Sequence, residues 1–104
     1  MNSDLKILEP VGILDKTEAP NLRKMVNEII REGAKIVLID FNNVTFVDST
    51  GLGTLVIIRK SVMEAKAQLV LCSLNQQIKM LFELTDMEKI FKIYPNREQF
   101  LHQL

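Results

Sequence analysis

The stretch Phe46-Val47-Asp48-Ser49-Thr50-Gly51-Leu52-Gly53-Thr54 marks a passage from strand to helix, and the remaining sequence reads as a frame around it. Ahead of it, residues 35–41 (KIVLIDF) are a β-branched apolar run of strand length without Gly or Pro, the pattern of a buried strand. Behind it, Leu52, Leu55, Val56, Val62 and Met63 recur at i, i+3, i+4, i+10 and i+11, one face of a helix that reaches about Ala65. Ile57 points away from that stripe. An apolar residue on an open face suggests a contact surface, although a lone exposed isoleucine is also ordinary.

The start of a helix has free N–H groups and about half a positive charge. Ser49 and Thr50 can cap those groups, and Gly51 and Gly53 keep side-chain bulk away from whatever approaches. A phosphate on Ser49 would be accommodated at such an end. Two readings of Ser49 follow from the local sequence: a phosphoacceptor, or a cap and nothing more.

The run Asp48-Ser49-Thr50-Gly51-Leu52-Gly53, preceded by Val44-Thr45-Phe46-Val47, resembles the signature of the anti-sigma factor antagonists, the stand-alone STAS domains of bacteria. Gly12-Ile13-Leu14-Asp15 is similar to the family's G-x-L-D ahead of its first helix, and Leu81-Phe82 falls where the family has Leu-Phe in the third. The resemblance thus spans nearly the whole chain. It implies that Ser49, directly after the aspartate, is phosphorylated by a partner kinase that is also the anti-sigma factor, with Thr50 the second candidate acceptor. Two departures stand out. Relatives usually have a further strand before residue 5, and they commonly have a Gly-Gly step where this chain has Ala65-Lys66-Ala67, so a less sharp helix end is expected here.

Length and composition set the outer limits. The 104 residues are expected to form a single domain, 1–104, able to bury one core. With 13 basic and 13 acidic residues, neither nucleic acid nor an anionic membrane surface is the expected main partner. No segment approaches the roughly twenty apolar residues of a membrane span, and Met1-Asn2-Ser3-Asp4 lacks a secretory signature. The single Cys72 fits a reducing cytoplasm, the expected location, and is most simply a core residue. The sequon Asn43-Val44-Thr45 therefore has no weight.

In chain order, residues 5–14 read as an edge or bent strand, interrupted by Pro10 and Gly12. Thr17 or a neighbour is expected to cap a first helix with Pro20 in its first turn, the stripe Leu22, Met25, Val26, Ile29 and Ile30, and Gly33 as its stop. Its opposite face, Asn21, Lys24, Glu28 and Arg31, is read as solvated. Asn42-Asn43 makes a turn. Residues 68–73 form a buried strand. Asn75 caps a helix bearing Ile78, Leu81 and Phe82 and closed by Thr85-Asp86. Residues 90–94 are a last strand, and Asn96 with Gln99 resembles a capping box for a terminal helix with Phe100 and Leu101. Strands alternating with amphipathic segments, joined to the resemblance, predict an α/β, STAS-like fold: a mixed β-sheet of about four to five strands with about four helices mainly on one side.

Catalysis finds little support. The glycines lack a Walker lysine and the third glycine of a dinucleotide loop, so no cofactor is expected. No second His or Cys accompanies the first to make a metal site, and His102 is read as inert. Asp48 is a weak base for a nucleophilic Ser49, as carboxylates ordinarily are, though it can orient the hydroxyl. The leading reading is a non-enzymatic binding module. Unphosphorylated, a surface of Asp15, Asp48, Ser49, Thr50, Gly51, Gly53 and Ile57 docks on an anti-sigma factor serine kinase; phosphate on Ser49 repels the partner, and a serine phosphatase resets the switch. The alternatives are a non-catalytic scaffold or transporter-associated STAS subunit, and an enzyme or nucleotide-binding domain.

Overall fold

The computed structural model describes residues 4–104. Relatives' further N-terminal strand would fall before Asp4, outside the described residues.

The apolar run at 35–41 becomes strand β3, Ile36–Asp40. Val37, Leu38 and Ile39 are all fully buried: Val37 and Ile39 join one hydrophobic cluster and Leu38 a second. A strand covered on both faces has no solvent side to mark with polar residues, which is why the run is unbroken. Around it stand β1 (Leu5–Leu8), β5 (Gln68–Cys72) and β6 (Lys92–Tyr94) in the order β1-β3-β5-β6. The pairings align Leu5 with Ile36, Val37 with Leu69 and Val70 with Lys92. A separate ladder joins β2 (Gly12–Leu14) to β4 (Val44–Val47).

The α/β architecture is the expected one, and the correction concerns its sheet. All the described pairings are parallel, not mixed, and six strands divide into ladders of four and two. Each pair of partners is separated in sequence by a helix, and such a crossover returns the chain in the same direction. The expected bent strand at 5–14 is two strands in two ladders. Pro10 has no N–H to continue a ladder, and Gly12 turns the chain with φ +87°.

Helices α1 (Ala19–Arg31), α2 (Ser49–Glu64) and α3 (Gln76–Leu84) enclose the larger cluster, with Leu22, Val26, Leu55, Ile58, Ile78 and Phe82 packed toward Val37, Ile39, Leu69 and Leu71. The short α4 (Arg97–Leu101) covers the other face. Its Phe100 meets Leu38, Val70 and Cys72, and its ring stands 5.2 Å from that of Tyr94. Helices mainly on one side is therefore the observed arrangement.

Arg97 anchors α4. Its Nε donates to Asp40 Oδ2 at 3.0 Å, and a terminal guanidinium nitrogen lies 2.7 Å from Glu9 Oε2. Asp40, only 5% exposed, also accepts from the Asn42 N–H at 3.0 Å. A buried carboxylate needs such partners. Hydrogen bonding to Glu9, with Asp40 adding to it, holds the guanidinium pKa above its ordinary value.

Several local expectations change. Of Thr17 and its neighbours, Glu18 takes the α1 cap position, but its side chain makes no capping bond; instead the Asp15 carboxylate accepts from the Thr17 and Glu18 N–H groups at 2.9 and 3.1 Å. In α2 the fully buried positions are Leu55, Ile58 and Val62, with Leu52 beside them, while Met63 is 54% exposed. That helix is apolar around much of its circumference, so spacing alone could not separate the stripes. The α2 end is sharp after all. Lys66 adopts φ +60°, and the Lys66 and Ala67 N–H groups return to the Met63 and Val62 carbonyls. A 3₁₀ turn at Met87–Lys89 precedes β6, which delays the last strand to Lys92. Asn75 and Asn96 cap their helices as expected, accepting from the Ile78 and Gln99 N–H groups at 2.9 Å each.

Candidate functional site

The site is assembled where β2 and β4 end side by side. Leu14 pairs with Val47, and the Asp48 N–H donates to the Leu14 carbonyl at 3.3 Å, extending the ladder by one bond. This register sets Asp15, the residue after Leu14, beside the start of α2. Asp48 keeps an extended backbone (φ −97°, ψ −178°), and its Oδ1 accepts from the Gly51 N–H at 2.8 Å. Asp48 is thus the N-cap.

The expectation that Ser49 and Thr50 cap α2 is corrected by that bond. Both are the first helical residues, both are exposed, and among the described residues neither hydroxyl has a hydrogen-bond partner within the protein. Among the described residues no hydrogen bond joins Asp48 to the Ser49 hydroxyl; the Oδ1 of Asp48 serves Gly51. The carboxylate adds a negative charge at the positive end of the helix, a favourable placement.

The two glycines of the motif differ in role. A Cβ on buried Gly51 would land on the Leu14 carbonyl, so α2 can approach β2 this closely only with glycine there. A Cβ on Gly53 would meet nothing within 4 Å, and Gly53 is exposed. Gly51 shapes the backbone; Gly53 leaves the surface next to Ser49 low. Ile57 is 42% exposed and continues into an apolar surface with Val56 and Met63, edged by Lys60 and Glu64. On the other side of α2, Thr54 faces Arg23, Lys24, Asn27, Glu28 and Arg31 across an open groove along α1.

Asp15, Asp48, Ser49, Thr50, Gly51 and Gly53 therefore belong to one end of the molecule, and Ile57 lies two turns along α2. The bonds of the Asp15 carboxylate run to the α1 start, so it shapes that loop. Sequence reading missed Gln77, whose side-chain amide grips Val47 on both its N–H and its carbonyl, at 3.0 and 2.9 Å. A polar residue one position into α3 has no sequence mark of a reach across thirty residues. Cys72 lies on the opposite face beneath α4, where burial pushes its thiol up to about 11.

The site is thus an α/β domain's exposed serine in the first turn of a helix that the preceding aspartate caps. The chain belongs to the STAS domain family, whose model matches residues 2–100. It is 34% identical over 83 residues to the anti-sigma-B factor antagonist of Listeria monocytogenes, covering 79% of this chain and 72% of that one. The anti-sigma-B factor antagonist of Staphylococcus aureus is 26% identical over 87 residues, 84% of this chain and 81% of that protein. Among solved structures, the phosphorylated form of the Bacillus cell fate determinant SpoIIAA superposes with a TM-score of 0.72 over 97% of this chain and 91% of that one. At 15% identity the likeness is one of fold. Among the described residues no helix is long and apolar enough to cross a membrane.

Proposed function

We propose that this chain is an anti-sigma factor antagonist: a non-catalytic, single-domain, cytoplasmic binding module switched by phosphorylation of Ser49. The observation that supports it is the division of labour at α2, where Asp48 caps the helix and leaves the adjacent serine hydroxyl exposed and unengaged. A serine needed as the cap would lose its structural bond on modification. This one has no such bond to lose.

The unphosphorylated surface around Asp15, Asp48, Ser49, Thr50, Gly51, Gly53 and Ile57 docks on an anti-sigma factor serine kinase and so frees a sigma factor. Phosphate adds about 1.5 to 2 negative charges beside Asp48 and penalises docking by repulsion and desolvation, without refolding. Every 1.4 kcal/mol is about tenfold in affinity, so a penalty of a few kcal/mol suffices. A serine phosphatase restores the docking state.

The test is to incubate the purified chain with ATP and the anti-sigma kinases of its own cell, followed by intact mass and site mapping. One phosphate on Ser49 is expected; phosphate on Thr50 instead would reassign the acceptor. In binding assays Ser49→Ala should dock constitutively and Ser49→Asp poorly. Equal binding by the two removes the reading, and stable association with an ATPase or a large particle indifferent to Ser49 supports a scaffold or transporter subunit.

A further inference from the structure

The edge of β4 that faces away from β2 has no strand partner: among the described residues the ladder is β2-β4 and ends there. Two side-chain amides from the first turn of α3 take the place of a strand. Asn75 Nδ2 donates to the Thr45 carbonyl at 3.1 Å and lies 3.4 Å from that of Val44. Its Oδ1 meanwhile accepts from the Ile78 N–H at 2.9 Å and caps the helix. Gln77 Oε1 accepts from the Val47 N–H at 3.0 Å while its Nε2 donates to the Val47 carbonyl at 2.9 Å.

An amide side chain presents a donor and an acceptor spaced to match a peptide group, which is the chemistry a missing strand would supply. Val47 is fully buried, so its peptide groups depend on protein partners. The next residue, Asp48, is extended and already begins the capping of α2. Its N–H is held by Leu14 from the β2 side. The chain between Val47 and Ser49 is consequently gripped from both flanks, by β2 through Leu14 and by α3 through Gln77. No flexible linker separates the Gln77 grip from the exposed serine.

We infer that Gln77 is a positioning residue: it fixes where the Asp48–Ser49 start of α2 is presented, and so couples α3 to the modification and docking of Ser49. The functional half of this inference rests on the reading of Ser49 above. The positional half stands on the geometry alone.

Amide hydrogen exchange in Gln77→Leu and in the gentler Gln77→Glu, which keeps an acceptor for the Val47 N–H, tests the positional half without any kinase. In Gln77→Leu, Val47 should exchange about tenfold faster from loss of its own partner. The informative group is the Gly51 N–H, which bonds Asp48 and does not touch Gln77. It too should exchange several-fold faster, while Leu38 and Val70 in the main sheet keep their rates. An unchanged Gly51 in both variants overturns the inference, since Gln77 would then serve only its local edge.

With a kinase and ATP that modify the wild-type chain on Ser49, Gln77→Leu should lower kcat about tenfold with a smaller change in KM, as misplacement of a bound acceptor does. Equal kcat in variant and wild type overturns the functional half. If no candidate kinase modifies the wild-type chain, the reading of Ser49 fails, and Gly51 exchange still decides whether Gln77 positions the α2 start.

Discussion

Gly51 stands against the carbonyl of Leu14 so closely that any side chain would occupy the oxygen's place. This approach joins α2 to β2 and brings the ends of the two motifs, Asp15 and Asp48, to one end of the molecule. Gly51→Ala must displace either the helix start or the strand end, and the expected cost is about 2 kcal/mol or more. Gly53→Ala meets open space and replaces a helix-disfavouring residue, so urea denaturation should show stability unchanged or raised by up to about 1 kcal/mol. Comparable losses for both variants would contradict the assignment of separate roles.

Asp48 and Ser49 should separate capping from switching. Asp48→Ala removes the acceptor of the Gly51 N–H and should cost about 1 kcal/mol, whereas Asp48→Asn, an equally good cap, should stay close to wild type. Ser49→Asp places an exposed acid in the first turn and should leave stability unchanged or raise it by about 0.3 to 1 kcal/mol. Denaturant midpoints measured alongside binding would show whether any docking defect of Ser49→Asp is local to the surface.

Arg97 joins α4 to two strand ends through partners in different environments. Asp40 is buried, while half of the Glu9 side chain is exposed. Arg97→Ala leaves the Asp40 carboxylate with the Asn42 N–H alone and should cost about 2 kcal/mol, the usual penalty for stranding a buried charge reduced because water can reach the vacated place. Glu9→Gln should change stability by no more than about 0.5 kcal/mol. Chemical denaturation of both variants measures the difference; equal effects would mean that Asp40 is not the partner that matters.

Cys72 gives the fold a signature at alkaline pH. Burial raises its thiol from 9.0 to about 11, so the folded chain keeps a proton that the unfolded chain releases more readily. Stability from this source is complete below pH 9 and declines as pH rises through 9 toward 11. Two pKa units correspond to about 2 to 3 kcal/mol. Cys72→Ala should lose part of its stability to the small cavity at all pH values and should lack that decline. Unfolding midpoints for the two proteins across pH 8 to about 11 make the comparison, and parallel curves would show that the thiol titrates alike in both states.

Much of the fold was legible because its signals are local. An uninterrupted apolar strand, Leu22 and Val26 of the α1 stripe and the asparagines at 75 and 96 each state their role within a few positions, and the structure places them as read, whereas Met25 of the same stripe is 39% exposed. Local signals were ambiguous where several candidates sat together. Asp48, Ser49 and Thr50 are all capping residues, and only the path of the chain out of β4 selects Asp48. The α2 stripe holds at Leu52, Leu55 and Val62, and Ile57 lies outward as read, but Met63 is exposed and Ile58 is buried, because the helix is apolar around much of its circumference and the sheet decides which positions it covers.

The sequence by itself determined that a strand runs into a helix at residues 46–54, that the core is apolar on both sides of β3, and that a serine stands at that junction. Tertiary structure alone decided the parallel pairing in two ladders, the need for glycine at 51, the anchoring of α4 by Arg97 and the grip of Gln77 on Val47. The physical reason is the range of the forces involved. Propensity, periodicity and capping act over a turn of helix or a few strand residues, whereas a backbone clash, a buried ion pair and a side-chain amide on a strand edge exist only after segments remote in sequence have been packed together.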